Sequence, residues 1–380
     1  GTVKFRISRD AFSDAVQWTS RAVHQRPPIP ILGAVHLIAG DGELELSSYD
    51  YDVSARSRVE AQVDEAGEAL VSGRMLGDIA KALPNEDLTV ELKEGHLSVR
   101  SRRTSYSLNT MALEDYPQLP SLPESQGTID AQQFSNAISQ VVIATSKDDT
   151  LPLLTGVRVE IEGPKITLLA TDRYRLAQRD ILWNPKDIEM STQLLVKART
   201  LADVARNLTT AGDVDLCLNA DAVGERSAII GFSAGEREAT SALLDGDYPP
   251  VRKLFPEETP LEYACNRAEL LEAVKRVSLV VERKTPVHLT FADGELQLEA
   301  GQAESAQAKE FVSLVSEAEE LKTAFNPAFL QDGLAALDTE FVRFGFVHAT
   351  KAAVMMGQPE EDGLADDSFK YLLMPIRFGM

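Results

Sequence analysis

Residues that commonly carry catalysis occur in this sequence, but their spacing does not build a reaction centre. The five histidines are scattered without the spacing of metal ligands: His24, His36, His96, His288 and His348. Neither G-x-G-x-x-G nor G-x-x-x-x-G-K-[ST] occurs, so the sequence offers no glycine-rich loop of the kind that holds a nucleotide phosphate. The sequence therefore predicts no catalytic residue, no metal site and no cofactor.

Carboxylates are the remaining candidates for acid–base chemistry. Asp148 and Asp149 form a pair in a predicted loop, where no histidine or metal motif supports them. Asp50 and Asp172 occupy matching places in two copies of an internal repeat. Because a short acidic side chain readily accepts hydrogen bonds from nearby backbone N–H groups, this recurrence favours a turn or capping role over catalysis.

Composition and charge limit the class of protein. The chain has 380 residues, about right for two or three domains, and a formal net charge of −21. That charge repels nucleic acid unless positive charge is concentrated on one surface. No apolar run approaches the roughly 18–20 residues that cross a membrane, and the first residues lack a signal-peptide core. Cys217 and Cys265 lie far apart, so we expect buried, reduced thiols and a cytoplasmic protein without membrane contact.

Three segments share the pattern of one amphipathic helix. They are Ile7 to Val16, Ile129 to Ile138 and Cys265 to Val274. In each, an apolar residue is followed three and four positions later by alanine and a second apolar residue, which places all three on one helical face. Asp10 and Asp130 lie near two of the helix starts, where they are predicted to cap free backbone N–H groups.

Further elements recur in the same order after each of these segments. Asp41-Gly42 and Asp293-Gly294 stand between alternating apolar runs and predict tight hairpins. A second helix is predicted in each copy, over Arg74 to Leu83, Arg199 to Leu208 and Pro327 to Leu337. Strands are predicted to follow, including one over Leu97 to Leu108. Two copies end alike, in Asp115-Tyr116-Pro117 and Asp247-Tyr248-Pro249.

This ordered recurrence predicts an α+β protein of three tandem domains, over residues 1–124, 125–257 and 258–380. Consecutive copies of one domain usually join through equivalent surfaces, and such head-to-tail contacts close into a ring where the rotation permits. A three-domain crescent is able to close by dimerising through its two ends. The predicted helices are net basic in an acidic chain. They either attract a duplex to one face or are ordinary solvated surfaces.

Five short segments carry a more specific similarity. They are Leu151-Pro152-Leu153-Leu154-Thr155-Gly156, Ala170 to Ala177, Asp247-Tyr248-Pro249, Phe325-Asn326-Pro327 and Tyr371 to Arg377. Together they resemble the β subunit of bacterial DNA polymerase III, the bacterial sliding clamp family, and the resemblance covers essentially the whole chain. The Leu-Leu-Met-Pro motif near the end resembles that of actinobacterial members.

The resemblance implies the DNA-clamp (processivity) fold, with two helices and two antiparallel sheets in each domain. It implies a homodimeric ring that encircles double-stranded DNA without sequence preference. The partners are then the replicative polymerase α subunit, the clamp loader, and other polymerases and repair proteins that bind through linear peptide motifs. DNA-directed DNA polymerase activity belongs to the holoenzyme, and this chain is expected to be non-catalytic. The alternative is an acidic, β-rich repeat scaffold that never meets DNA.

The resemblance also implies a peptide-binding pocket between the second and third domains. Aliphatic and Met side chains would form an adaptable floor, and Arg175 and Arg377 are expected to hydrogen-bond peptide carbonyls or acidic groups. For Leu154 and Leu176 the competing interpretation is strand core. Carried over by position, the pocket comprises Leu154, Thr171, Arg173, Tyr174, Arg175, Leu176, Pro249, Lys253, Leu254, Asn326, Phe329, Leu372, Leu373, Met374, Pro375, Ile376 and Arg377.

Three pocket positions depart from the family pattern. Arg173 and Tyr174 stand where other members often carry smaller or different side chains, which predicts a narrower rim. Lys253 stands where the family has an arginine, and it lacks the planar donor fork of a guanidinium.

For DNA, the resemblance implies a contact at Arg26 in an Arg-Pro loop. Placement on predicted helices adds Arg74, Lys197, Arg199 and Lys275 as phosphate contacts. Each of these side chains is equally well explained as ordinary surface charge.

Overall fold

The structure is a computed structural model that describes residues 1–22, 27–208, 212–219, 229–282 and 285–376. Within these residues, the first repeat contains β1 (Val3–Ser8), α1 (Arg9–Ser20), β2 (Ala34–Gly40), β3 (Glu43–Tyr49), β4 (Val53–Glu60), β5 (Gln62–Glu65), β6 (Gly67–Ser72), α2 (Gly73–Ala82), β7 (Asp87–Lys93), β8 (His96–Arg100) and β9 (Ser105–Asn109).

The same order of elements recurs twice more. The second repeat contains β10 (Ser125–Asp130), α3 (Ala131–Val142), β11 (Gly156–Glu162), β12 (Lys165–Thr171), β13 (Arg175–Leu182), β14 (Asn184–Pro185), β15 (Ser191–Lys197), α4 (Ala198–Asn207), β16 (Asp213–Leu218), β17 (Ile229–Ala234) and β18 (Arg237–Ala242). The third contains β19 (Leu261–Asn266), α5 (Arg267–Val277), β20 (Val287–Ala292), β21 (Glu295–Gln302), β22 (Ala306–Ser316), β23 (Leu321–Phe325), α6 (Pro327–Ala336), β24 (Phe341–Phe346), β25 (Ala353–Gln358) and β26 (Asp366–Leu373). The predicted threefold repeat is confirmed, and the long β22 takes the place of two strands.

Short polar side chains begin several helices. Ser8 caps α1, because its hydroxyl oxygen accepts a hydrogen bond from the Ala11 N–H at 3.3 Å. The prediction that Asp10 caps α1 is wrong: Asp10 lies inside the first turn and pairs with Arg9 at 3.2 Å. Its carboxylate still lies at the positive end of the helix dipole.

The apolar face predicted for the first helix of each repeat is buried, as expected. The residues concerned are Phe12, Ala15, Val16, Phe134, Ala137, Ile138, Leu270, Ala273 and Val274. Cys217 and Cys265 are buried free thiols, as predicted. Burial raises the pKa of Cys217 to about 11 and that of Cys265 to about 12, so both thiols stay protonated at neutral pH.

The predicted Asp-Gly hairpins are confirmed, but one predicted strand is wrong. Asp41 and Gly42 have φ of 51° and 75°, and Asp293 and Gly294 have φ of 54° and 77°. Two consecutive positive φ values give the type I′ turn that suits a twisted hairpin. The strand predicted over Leu97 to Leu108 is instead β8 and β9, since the chain turns between them where Ser101 N–H donates to the Thr104 carbonyl oxygen at 2.9 Å.

The described residues divide into two compact units. The first comprises Gly1–Gln132, Trp183–Met190 and Arg199–Leu243. Its strands form two antiparallel sheets, one in the order β5-β1-β7-β8-β9 and one in the order β14-β10-β16-β17-β18-β4-β3-β2-β6. In the second sheet, β4 of the first repeat therefore pairs with β18 of the second.

The second unit comprises Gln133–Leu182, Ser191–Ala198 and Leu244–Met380. Its described strands form one antiparallel sheet in the order β15-β11-β12-β13-β26-β25-β24-β19-β22-β21-β20-β23. Here β13 of the second repeat pairs with β26 of the third, which is the same kind of joint as β4 with β18.

Among the described strand edges, two are equivalent to those that form the joints but pair on one side only. Among the described strands, β9 pairs with β8 alone, and residues 306–312 of β22 pair with β21 alone. These two edges belong to the first and third repeats, at positions equivalent to the strands that form the internal joints.

No helix in the described part of the chain is long and apolar enough to cross a membrane.

Candidate functional site

A tight turn between β12 and β13 organises the predicted peptide site. One carboxylate oxygen of Asp172 accepts hydrogen bonds from the backbone N–H groups of Tyr174 and Arg175, each at 3.0 Å. Arg173 adopts φ of 83°, and its N–H donates to the Thr171 hydroxyl at 3.1 Å. The turn role predicted for Asp172 is therefore confirmed.

The matching turn in the first repeat is built in the same way. The Asp50 carboxylate accepts from the N–H groups of Asp52 at 2.9 Å and Val53 at 2.7 Å, and Tyr51 has φ of 73°. Asp148 also has a local role, since it accepts hydrogen bonds from the Thr150 N–H at 3.0 Å and hydroxyl at 2.7 Å. These contacts lower the pKa of Asp148, as expected for a loop carboxylate rather than a general acid.

Arg175 follows the turn and is only 8% exposed. Its Nε donates to Asp172 at 3.1 Å, and its Nη1 lies 2.6 Å from a carboxylate oxygen of Asp332 and 3.3 Å from the Tyr371 hydroxyl. The guanidinium carbon lies 4.1 Å from the centre of the Phe329 ring, in cation–π geometry. The guanidinium thus connects β13, α6 and β26.

The protonation states in this cluster follow from burial and charge. Burial disfavours the charged form of Arg175, but Tyr371, Asp332 and Asp172 outweigh it and leave the pKa of Arg175 raised. Burial raises the pKa of the Tyr371 hydroxyl, which therefore stays protonated and donates to the Phe329 carbonyl oxygen at 2.7 Å. Arg175 was predicted to bind peptide carbonyls or acidic groups, and that stays a prediction; the structure shows its hydrogen bonds to Asp172, Asp332 and Tyr371.

Aromatic side chains lie at the start of α6. Asn326 caps this helix, its amide oxygen accepting from the N–H groups of Ala328 at 2.9 Å and Phe329 at 3.2 Å. The Phe329 ring centre is 6.3 Å from that of Tyr174, with a 32° angle between the rings. Because Tyr174 is 62% exposed, it presents aromatic surface to solvent beside Phe329.

A buried apolar cluster includes residues of the two strands that flank the turn, β12 and β13. It contains Leu154, Leu176 and Leu372, together with Leu169, Leu195, Tyr248, Val251 and Val354. Leu154, Leu176, Leu372 and Leu373 are each at most 6% exposed. Burial supports the strand-core interpretation for Leu176, whereas Leu154 is a core residue of the 3-10 turn Pro152–Thr155 and does not lie in a strand. Among the predicted pocket residues that the structure describes, the exposed large apolar side chains are Tyr174, Leu254 at 59% and Met374 at 46%.

The last described residues border the same cluster. The Met374 N–H donates to the Tyr174 carbonyl oxygen at 3.0 Å, which continues the pairing of β13 with β26. The Ile376 N–H donates to the Ala324 carbonyl oxygen at 2.8 Å, and both Pro375 and Ile376 are half-buried. Pro249 and Lys253 are exposed. Arg377 lies outside the described residues.

A separate cleft of about 420 Å³ in the first unit is lined by α1, α2 and α4. It brings together Arg74 and Arg199, two of the predicted DNA contacts. It also contains basic residues that the sequence analysis did not single out, although they lie on or directly beside the predicted helices: Arg21, Lys81 and Arg206. Asp78 and Asp203 are its acidic members, and Asp203 pairs with Arg206 at 2.7 Å.

The other predicted DNA contacts are not part of this cleft. Lys197 is the last residue of β15 and directly precedes α4. Lys275 is exposed on α5 and pairs with Glu272 at 3.4 Å. Arg26 lies outside the described residues. The described residues hold no cluster of three metal-ligating side chains.

Three copies of one α+β fold, an apolar and aromatic surface and a basic cleft define a class of repeat protein built to bind other macromolecules. Family models for the DNA polymerase III beta subunit match residues 3–120 (N-terminal domain), 128–250 (central domain) and 252–377 (C-terminal domain). The chain therefore belongs to the DNA polymerase III beta subunit family.

Individual relatives agree with this assignment. The chain is 45% identical to the beta sliding clamp of Streptomyces coelicolor, over 99% of both chains. It is 47% identical to that of Micrococcus luteus, over 82% of this chain and 98% of the relative. The solved sliding clamp of Bacillus subtilis superposes with a TM-score of 0.90 at 26% identity, covering 99% of this chain and 100% of the other. The solved Pseudomonas aeruginosa clamp bound to griselimycin superposes with a TM-score of 0.88 at 27% identity, covering 100% of both chains.

These relationships establish the function at the level of the family. The chain is a DNA sliding clamp of the replication machinery and is a non-catalytic processivity factor, as its relatives are. The resemblance to actinobacterial members is confirmed by the Streptomyces and Micrococcus relatives. The alternative of a scaffold that never meets DNA is not favoured.

Proposed function

We propose that two copies of this chain close head to tail into a ring around duplex DNA, and that the ring tethers replication proteins through the surface around Tyr174. The observation that carries the proposal is the pattern of strand joints. Each internal joint pairs the fourth strand of one repeat with the last strand of the next. The strands equivalent to those of the joints, β9 in the first repeat and residues 306–312 of β22 in the third, each pair with a single described strand.

The edges of β9 and β22 are therefore proposed to pair between copies. β9 of one copy would add to β22 of the other, as β18 adds to β4. Exposed apolar side chains lie on or near these edges: Tyr106 on β9, Phe311 on β22, and Leu279, at 85% exposure, in the turn Ser278–Val280 that contacts β22. Their burial against a second copy would supply the apolar core that stable homodimer interfaces need.

The basic cleft is proposed to face the duplex. Arg21, Arg74, Lys81, Arg199 and Arg206 would attract phosphates, while Asp78 and Asp203 keep the attraction moderate. A protein that must slide benefits from sequence-blind phosphate contacts of this kind, because tight base contacts would hold it in one register. Lys197, Lys275 and Arg26 remain proposed contacts.

The peptide site is proposed to bind a short linear segment of each partner. The candidates are the replicative polymerase α subunit, the clamp loader, and other polymerases and repair proteins. Exposed Tyr174, Leu254 and Met374 offer adaptable apolar contacts, and Phe329 at the capped start of α6 lies beside Tyr174. We also propose domain boundaries at 1–124, 125–257 and 258–380, and a cytoplasmic location, since the relatives are replication proteins.

Two measurements test the ring. The chain, loaded by its clamp loader, should remain on closed circular DNA and should leave the same DNA once it is linearised, because free ends release an encircling ring. The solution mass should be twice 41.5 kDa. Equal retention on both DNA forms, or a stable monomer at micromolar concentration, would contradict ring closure.

Leu279→Asp offers a sharper variant of the mass measurement. A charge at this exposed position should shift the chain to monomer, because it would have to be desolvated in the proposed interface. Leu364→Asp is the matched control: Leu364 is equally exposed at 86% but does not lie on the proposed edges. If Leu279→Asp leaves the dimer unchanged, the interface does not include Leu279 and the proposed strand pairing is contradicted.

A further inference from the structure

An aspartate recurs at the same place in the second helix of every repeat. Asp78, Asp203 and Asp332 each lie six positions after the residue that precedes α2, α4 or α6. The first two line the basic cleft, whereas Asp332 binds the guanidinium of Arg175. The repeated residue therefore has a different role in the third repeat.

The geometry around Asp332 links it to the aromatic surface. Asp332 and Phe329 are three residues apart on α6, so they share one face of the helix and both contact Arg175. The carboxylate holds the guanidinium by its Nη1 while the ring packs against the guanidinium plane. Phe329 in turn contacts Tyr174.

We infer that Asp332 is a positioning residue for the peptide site: through Arg175 it holds Phe329 and Tyr174 as a wall against which an apolar side chain of the bound peptide packs. The inference rests on the proposed peptide-binding function. Asp332 need not touch the peptide, because its effect passes through Arg175. Nothing in the family assignment alone gives this residue a role.

Two features separate positioning from a purely structural role. The Asp332 side chain is 46% exposed, so its removal leaves no cavity in the core. Arg175 also keeps the Nε bond to Asp172 when Asp332 is lost, so its charge stays paired. The fold should therefore survive, while the guanidinium and the ring that it supports become free to move.

The test uses the full-length chain and a fluorescently labelled peptide from the C-terminal tail of the cognate replicative polymerase α subunit. Asp332→Ala should weaken binding about tenfold, the size expected when one charged hydrogen bond is lost. Asp332→Asn retains a hydrogen-bond acceptor, so its peptide affinity should lie between those of the unmodified chain and Asp332→Ala. Asp78→Ala and Asp203→Ala are the matched controls at the equivalent helix positions, and they should bind the peptide like the unmodified chain.

A double-mutant cycle distinguishes a specific coupling between Asp332 and Arg175 from a general loss of stability. If Asp332 acts through Arg175, then adding Asp332→Ala to Arg175→Met should cause no further loss of affinity. Additive losses, or Asp332→Ala binding like the unmodified chain, would overturn the inference. If the unmodified chain fails to bind the peptide, the proposed site is rejected and this inference with it; if it binds and Tyr174→Ala weakens binding while Asp332→Ala does not, the inference alone is rejected.

Discussion

The turns at Asp50 and Asp172 have the same backbone but different surroundings. In both, the aspartate accepts hydrogen bonds from two following N–H groups, and the next residue adopts a positive φ. The first turn then continues with Val53, and the second with Arg175. The same turn therefore carries different side chains in the two repeats, and the proposed peptide site lies beside the second turn.

The strand joints that follow the two turns also differ, because one is mainly polar and the other mainly apolar. The β4–β18 joint carries buried hydroxyls, with Ser54 bonded to Thr240, and the Trp18 indole donates to the carbonyl oxygens of Arg56 at 3.1 Å and Glu238 at 3.2 Å. The β13–β26 joint pairs Leu176 with Leu372, and both belong to a buried apolar cluster. The first joint is closed by polar contacts, while the second borders exposed aromatic and Met side chains.

Of the variants considered, Arg175→Ala is expected to weaken peptide binding at the second turn most strongly. It leaves Asp172 and Asp332 without their shared cation and removes the support of Phe329, so peptide affinity should fall by about 100-fold or more. Fluorescence anisotropy with the polymerase peptide measures the loss. Val53→Ala, at the matching place in the first repeat, is the control and should leave the affinity unchanged. Equal effects of the two variants would contradict the comparison.

Met374→Ala combined with Arg377→Ala should have the next largest effect. Met374 is an exposed apolar side chain beside Tyr174, and its loss should weaken peptide binding about 30-fold together with Arg377, whose role rests on family position. The dimer should stay intact by light scattering. Tyr51→Ala removes an exposed aromatic from the first turn and serves as the control. Unchanged affinity for the peptide would reject the pocket assignment.

The smallest expected effect concerns alkaline pH. Burial raises the pKa of Tyr248 to about 12, above its unfolded value of about 10. The folded chain then holds this proton more tightly than the unfolded chain, so stability is present below pH 10 and declines as pH rises from 10 to 12. Tyr248→Phe should flatten that decline in thermal unfolding.

Tyr116 provides the comparison within the first repeat, because burial raises its pKa as well. Tyr116→Phe should flatten the alkaline decline in a similar way, since both tyrosines belong to the repeated Asp-Tyr-Pro segment. If neither variant changes the dependence on pH between 10 and 12, the buried tyrosines do not control it.

Much of the fold was predictable because its signals are local. Helix faces at Phe12, Phe134 and Leu270, and hairpins at Asp41-Gly42 and Asp293-Gly294, depend on residues only a few positions apart. The missed break between β8 and β9 has a physical reason: its turn, Ser101–Thr104, contains neither glycine nor proline.

The site was predictable only in part, because its decisive contacts join distant segments. Arg175 meets Asp332 and Tyr371, which are 157 and 196 residues away, and no local pattern reveals this pairing. The resemblance to the clamp family named the pocket residues by position, and it predicted that Arg175 hydrogen-bonds peptide carbonyls or acidic groups; both stay predictions. Its burial and its internal hydrogen bonds are the contacts on which the proposed supporting role rests.

A crystal structure of the chain with the polymerase peptide tests the central claim most directly. The peptide should pack against Tyr174, Leu254 and Met374 while Arg175 keeps its bonds to Asp172 and Asp332. A structure in which Arg175 leaves both carboxylates to bind the peptide, or in which the peptide occupies the Asp50 turn, would contradict the account.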